Sequence, residues 1–324
     1  LDSEQKTIAV SGLSKTYRRA NGEQVHAVKD LDLAVPPGCI FGFLGPNGAG
    51  KTTTIKMICG LVKPTAGEIR VNGLDVWQKR SQAMLQIGAV LEGTRNIHWT
   101  LSAWDNLIYF GHLKGLSGQS LTRRAEDLLK QVELWERRKD LVRVFSRGMQ
   151  QKVAVACALI ADPPVILLDE PTLGLDVQAA RTVKDLIVCL ARDQGKTIVL
   201  TTHQLDMAQD VCDRIAIMSK GQTVTDRPTT ELLDLFREEH YQFQVAGTLS
   251  SEAVSALEGM AIEENKGGIL ISGAIASHEQ LYDLIAQLRS FDLDLLSVNP
   301  VEPNLEEIFV HLVDNHARQP EVEA

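Results

Sequence analysis

No uninterrupted apolar run in the 324 residues reaches the ~18 residues a membrane span needs. The longest candidate, VAVACALI, stops at Asp162, Pro163 and Pro164. The first residues, LDSEQKTIAV, lack a basic-then-apolar pattern, so no secretory leader is expected and a cytosolic setting is. The five cysteines (Cys39, Cys59, Cys157, Cys189 and Cys212) form no CxxC pair and mostly sit among apolar residues. That argues against a disulfide framework or a metal knuckle and for buried, reduced thiols. Internal repeats and low-complexity segments are also missing, which excludes solenoid and linker-like chains.

The chain does have the means for a good core, with 44% hydrophobic and 23% charged residues, and length for about two domains. Its net charge of −9 is unevenly spread. Residues 240–324 hold fourteen acidic and three basic residues, whereas residues 1–239 hold thirty basic and twenty-eight acidic. The shift marks a domain boundary near 235–240, and the acidic part disfavours nucleic acid as a partner.

Along the first part, TIAVSGLSKTY and VHAVKDLDLAV read as strands joined across an Asn21-Gly22 turn. After Pro36-Pro37-Gly38, CIFGFL reads as a short buried strand and TTTIKMICGL as a helix. Residues 100–161 look mainly helical. VILLD and KTIVLTT are two more buried strands, with QAARTVKDLIVCLARDQG as the helix between them. Strands alternating with helices predict an α/β fold with a mostly parallel, covered sheet. From residue 240 a β-α-β-α-β run suits a small α+β domain of ferredoxin-like type. A terminal helix, PNLEEIFVHLV, and a disordered tail, 313–324, are expected after it.

Two stretches carry chemistry. GPNGAGKT, Gly45 to Thr52, fits G-x-x-x-x-G-K-[ST] between a strand and a helix. The residues Gly45, Pro46, Asn47, Gly48, Ala49 and Gly50 let the backbone curl so that its N–H groups face phosphate oxygens. The helix N-terminus adds partial positive charge there. Lys51 reaches the β- and γ-phosphates, and the Thr52 hydroxyl suits Mg²⁺. In VILLDE, apolar residues bury the strand and leave Asp169 at its C-terminal end, where α/β sheets bind ligands. Asp169 then suits Mg²⁺, and Glu170 can orient or deprotonate an attacking water.

With these motifs the chain resembles the ATP-binding subunits of ABC transporters over roughly residues 7–235. GPNGAGKTT, including Thr53, looks like their Walker A and VILLDE like their Walker B. PTLGLD, ending at Asp176, looks like the D-loop, and TTHQLDMAQD carries the switch His203. Tyr17, in SKTY, stands where the family stacks an aromatic on adenine. IGAVLEG places Glu92 where most members have glutamine, and a carboxylate there can hold a water or the metal. That substitution, and the closing NLEEIFVHL, are similar to the ABC-2 exporter branch of drug and polysaccharide exporters.

The family's signature loop, usually LSGGQ, has a near-match in Leu116–Gln119. It lies some 50 residues before Asp169, between two helices, and is rejected. FSRGM opens the helix that leads into VILLDE, with Ser146 23 positions before Asp169. Ser146 keeps the hydroxyl and Gly148 the close backbone approach, while Arg147 and Met149 replace glycine and glutamine. Whether Arg147 touches phosphate or faces solvent is left open at this point.

The resemblance implies a P-loop ABC ATPase fold for residues 1–235, with an antiparallel β subdomain and a helical subdomain at about 93–162. Residues 240–312 form the accessory domain. It implies ATP and Mg²⁺ as cofactors, with Lys51, Glu170 and His203 catalytic. It also implies two subunits, expected identical, closing head to tail on two ATP molecules. A separate ABC-2-type permease would be contacted near Glu92 and Trp99–Trp104, at the cytoplasmic face of the cell membrane. The alternative is a soluble ABC ATPase acting on ribosomes or DNA. The accessory domain is expected to support dimerisation or to bind a regulatory ligand.

Overall fold

The computed structural model describes residues 6–93, 96–234, 239–250, 253–254, 257, 260–265, 268–275, 277–291, 293–301, 305–306, 308–309 and 312. The chain divides into two compact units, residues 1–229 and 230–311, a few residues ahead of the charge shift.

The first unit opens with β1 (Ile8–Arg18) and β2 (Gln24–Val35), paired antiparallel. They join β4 (Ala66–Val71) and β5 (Leu74–Asp75) in a sheet of order β2-β1-β4-β5. Between them come β3 (Ile40–Leu44) and helix α1 (Lys51–Ile58). Helix α2 (Arg80–Leu85) leads to β6 (Ile87–Val90).

The predicted helical region contains α3 (Ala103–Leu113), α4 (Gly118–Gln131) and α5 (Arg147–Leu159). In α4, Leu121, Ala125, Leu128 and Leu129 are buried at three- and four-residue spacing, which explains why this charged segment is helical. Then follow β7 (Val165–Asp169), α6 (Val177–Arg192), β8 (Thr197–Thr202), α7 (Leu205–Val211), β9 (Arg214–Ser219) and β10 (Gln222–Pro228).

The central sheet runs β10-β9-β3-β8-β7-β6, with every pairing parallel except β10 with β9. Strands β3, β7 and β8 are buried at every residue, as a sheet covered on both faces requires. Phe41, Phe43, Ile55, Ile58, Leu167 and Val199 share one apolar core with Ile8, Leu13 and Ile69 of the antiparallel sheet. Strands β4, β5, β6, β9 and β10 go beyond the sequence reading: β4 and β5 are short and polar, and β9 follows a helix without a turn signal.

Helix α8 (Thr229–Asp234) spans the division between the units. The second unit holds β11 (Glu239–Ala246), β12 (Ala261–Asn265), β13 (Gly268–Ile275), helix α9 (His278–Ser290) and β14 (Asp294–Val301). Its sheet order is β12-β13-β11-β14, antiparallel throughout. Ala253 and Val254, between β11 and β12, are helical. The connectivity is thus β-α-β-β-α-β, one strand more than the sequence reading has. The added β12, AIEEN, is an edge strand with few apolar residues. Phe243, Val245, Ile271, Leu284 and Leu288 form this unit's core. Of the expected terminal helix, Leu305, Glu306, Ile308, Phe309 and Leu312 are helical, and the tail at 313–324 lies outside the described residues.

Candidate active site

Parallel register gathers the site from distant parts of the chain. Leu44 at the end of β3 pairs with Thr202 of β8, Thr201 with Asp169 of β7, and Leu168 with Val90 of β6. Four loops therefore leave neighbouring C-terminal strand ends, and they carry the glycine-rich loop, His203, Glu170 and Glu92. This is the edge where α/β sheets bind ligands.

Within the glycine-rich loop, Gly45, Gly48 and Gly50 all have positive φ. A Cβ on Gly45 would stand 2.4 Å from the Met218 carbonyl oxygen, and one on Gly50 would stand 2.5 Å from that of Ala27. Gly48 faces open space, so its backbone is available to a ligand. Lys51 is buried, and its Nζ donates to the carbonyls of Gly45 (2.6 Å) and Pro46 (3.2 Å). Burial holds the ammonium below its ordinary pKa, against the opposing pull of Glu170, Asp169 and Glu92.

Asp169 is 2% exposed and is the hub. Its Oδ1 accepts from Thr52 Oγ1 at 3.1 Å and Thr201 Oγ1 at 2.6 Å. Its Oδ2 receives the Glu92 N–H at 3.5 Å, which leaves that oxygen weakly satisfied. Glu170 adopts φ 52, a conformation rare for a residue with a Cβ. Its N–H donates to both the backbone oxygen and Oγ1 of Thr201, each at 3.1 Å. Its Oε2 lies 3.0 Å from His203 Nδ1. A carboxylate only accepts, so Nδ1 carries the proton. Thr201 is the residue the sequence reading misses; its signal is the Thr-Thr pair that closes the apolar run Ile198-Val199-Leu200 at the C-terminal end of the strand.

A cavity of about 560 Å³ is lined by Asn47 to Thr53, Glu92, Glu170, His203 and, from β2, Val25, His26 and Ala27. Tyr17 pairs in register with Val25 but is not among the lining residues. The residue is 40% exposed, and its ring carries the Lys15 ammonium 5.0 Å from the centroid. A second cavity, of about 420 Å³, shares Glu92, Glu170 and Leu173 and adds Asp169, Trp99, Arg147, Gln150 and Gly174.

Ser146 is exposed and caps α5, accepting from Met149 N–H at 3.3 Å. The rejected LSGQ stretch instead opens α4, with Ser117 at its cap. Asp176, also exposed, caps α6 through Ala179 N–H at 2.8 Å. The close approach at Gly148 is made inside this chain, because a Cβ there would lie 2.6 Å from Ala179 Cβ.

Comparison with known proteins agrees with this geometry. The family model described as ABC transporter matches residues 28–173, and a model for a domain of unknown function matches 240–299. The linearmycin resistance ATP-binding protein LnrL of Bacillus subtilis is 32% identical over 94% of this chain and 99% of its own. The chain belongs to the ABC transporter ATP-binding proteins. Another such relative, the daunorubicin/doxorubicin resistance ATP-binding protein DrrA of Streptomyces peucetius, is 33% identical over 96% of this chain and 94% of its own. The dimeric ATP-binding cassette MJ0796 in a post-hydrolysis state bound to ADP and Pi superposes with a TM-score of 0.63. It is 28% identical and covers 68% of this chain and 98% of that one.

As an ABC protein the chain is an ATPase that uses Mg²⁺, and the residues fit both groups. Among the described residues no cluster of three or more His, Cys, Asp or Glu is placed to hold a metal alone. Mg²⁺ ordinarily takes one or two protein oxygens together with substrate phosphates. Thr52 Oγ1 and the weakly satisfied Asp169 Oδ2 supply such oxygens. Bound there, Mg²⁺ would neutralise charge on the phosphate oxygens.

Proposed function

We propose that this chain is the ATP-hydrolysing subunit of an ABC-2-type exporter, acting through a separate membrane permease. The observation that carries the chemistry is the convergence of Lys51, Thr52, Asp169, Glu170 and His203 on three adjacent strand ends. In this reading the N–H groups of Gly48, Gly50, Lys51, Thr52 and Thr53 cradle the phosphates. Lys51 supplies charge to the β- and γ-phosphates. Glu170 orients and deprotonates the attacking water, and His203 holds Glu170 on one side while its Nε2 faces the terminal phosphate. Glu92 reports on the metal or its water through the backbone link to Asp169. Tyr17 stacks on adenine after giving up the Lys15 contact.

Ser146 and Asp176 are exposed helix caps. They support a head-to-tail dimer in which each chain completes the other's nucleotide site, with Gly148 setting the approach of α5. Export is supported by relatives named for linearmycin resistance, daunorubicin/doxorubicin resistance and Nod factor export. No described helix is long and apolar enough to cross a membrane, so transport on this reading needs a partner at the cytoplasmic face. The test is to isolate the chain from detergent-solubilised membranes and identify what remains bound. Recovery of a multi-span permease whose presence raises ATP turnover supports the reading. Recovery of ribosomes or DNA instead would overturn it.

A further inference from the structure

Arg147 sits at the first position of α5, beside Ser146. Among the described residues no hydrogen bond or ion pair engages its guanidinium, although five N–H donors are present. Its Nη1 lies only 3.0 Å from where a Cβ of Gly174 would stand, and the two residues line the same cavity as Glu92, Asp169 and Glu170. Gly174 belongs to a turn that starts at Glu170. Leu173 N–H donates to the Glu170 carbonyl at 3.2 Å, and Leu175 N–H to that of Thr172 at 3.3 Å. Both bonds are long, and both Glu170 (φ 52) and Gly174 (φ 71) are in left-handed conformations. Thr201, His203 and the buried Thr172, whose Oγ1 donates to Gln204 Oε1 at 2.7 Å, hold the start of the turn. Its exposed 173–174 end has only these long backbone bonds and gains from outside support. A second contact fixes the same helix end to the same region, since Gly148 abuts Ala179, the residue that Asp176 caps.

We propose that Arg147 is a positioning residue for ATP hydrolysis: its guanidinium braces the 170–175 turn at Gly174 and so fixes the Glu170 carboxylate. The planar, weakly hydrated guanidinium suits packing against exposed glycine backbone better than an ammonium does. Because α5 also carries Ser146, the brace links that loop mechanically to the acid of the same chain. The inference rests on the ATPase reading for the role of Glu170.

The test compares Arg147→Ala, Gly174→Ala and the double variant in the full chain. In Arg147→Ala, hydrogen exchange at the amides of Leu173 and Leu175 should accelerate roughly tenfold while that of Val199, in the core of β8, stays unchanged. ATP turnover should fall roughly tenfold in kcat with KM moved less than about twofold, as expected for a displaced catalytic group. Gly174→Ala should be less damaging in the Arg147→Ala background than in the wild type, because part of its cost is the collision with the guanidinium. Unchanged exchange at Leu173 and Leu175, additive effects of the two substitutions, or a KM effect with kcat intact would each overturn the proposal. Exchange is read without turnover, so its result stands apart from the ATPase reading. Failure of that reading would show as a wild-type chain that neither binds nor hydrolyses MgATP.

Discussion

Replacing Thr201 with valine removes one hydroxyl from the centre of the site and little else. The side chain stays β-branched and similar in size, so β8 and its buried surroundings are kept. Two bonds go: the 2.6 Å donation to Asp169 Oδ1 and the acceptance of Glu170 N–H at 3.1 Å. Glu170 N–H keeps the backbone oxygen of Thr201, so its loss is small. Asp169, 2% exposed, keeps only Thr52 on Oδ1. A hydrogen bond to a buried charged group contributes about 1.5–3 kcal/mol, so the first unit should lose about that much stability. For a unit of this size the melting temperature should fall by roughly 2–4 °C per kcal/mol. Turnover should fall roughly tenfold, because Asp169 loses its shortest hydrogen bond and is free to shift in the site. Thr201→Ser keeps the hydroxyl and should retain most of both properties. Denaturant titration of the first unit's transition and steady-state ATPase assays, on both variants, provide the check. If valine and serine behaved alike, Thr201 would be packing only and the hub role assigned to it would be wrong.

Other expectations follow from the same structure. Gly50→Ala forces a Cβ to 2.5 Å from the Ala27 carbonyl at φ 107 and should abolish nucleotide binding, whereas Gly48→Ala meets no atom within 4 Å and should cost only the ~1–2 kcal/mol of its left-handed backbone; nucleotide titrations by fluorescence separate the two. Burial pushes the thiols of Cys39 and Cys59 up to about 12 and raises those of Cys157 and Cys212 as well. Burial raises Cys189 too, but it is half-buried where the other four are buried. Maleimide at neutral pH should therefore label it first in the folded chain and all five cysteines in denaturant, read by mass spectrometry. The hydrogen bond to Lys196, with Arg124 adding to it, holds the Asp162 carboxyl below its ordinary pKa. Its folded pKa is thus lower than its unfolded one, so its contribution is present above the unfolded pKa and lost as pH falls through the folded pKa. Because the side chain is 64% exposed, Asp162→Asn should cost at most about 1 kcal/mol at neutral pH. The difference from wild type should close below about pH 4 in denaturant titrations.

How legible a feature was depended on how far apart in the chain its parts lie. The phosphate loop is eight consecutive residues whose glycines are each explained by local backbone, so sequence alone reads it. Asp169 and Glu170 are similarly local, being the end of one apolar strand. Thr201 meets Asp169 only through the parallel register of β7 and β8, a relation that no spacing within the chain expresses. The same holds for Gly148, which suits a phosphate site by type but whose tight neighbour is Ala179 of α6. Tyr17 shows the converse: its motif position points to adenine, yet here the ring holds Lys15. In the second unit β12 was missed because an edge strand needs few apolar residues, and AIEEN offers only Ala261 and Ile262.

The most direct measurement is ATP binding and turnover by Glu170→Gln beside the wild type, in the same preparation and with Mg²⁺ present. The substitution keeps size and removes the base, so MgATP affinity should stay within about twofold while turnover drops by roughly 10²–10⁴-fold. Multiple turnover at near wild-type rate would contradict the assignment of Glu170 and, with it, the account of how these strand ends hydrolyse ATP.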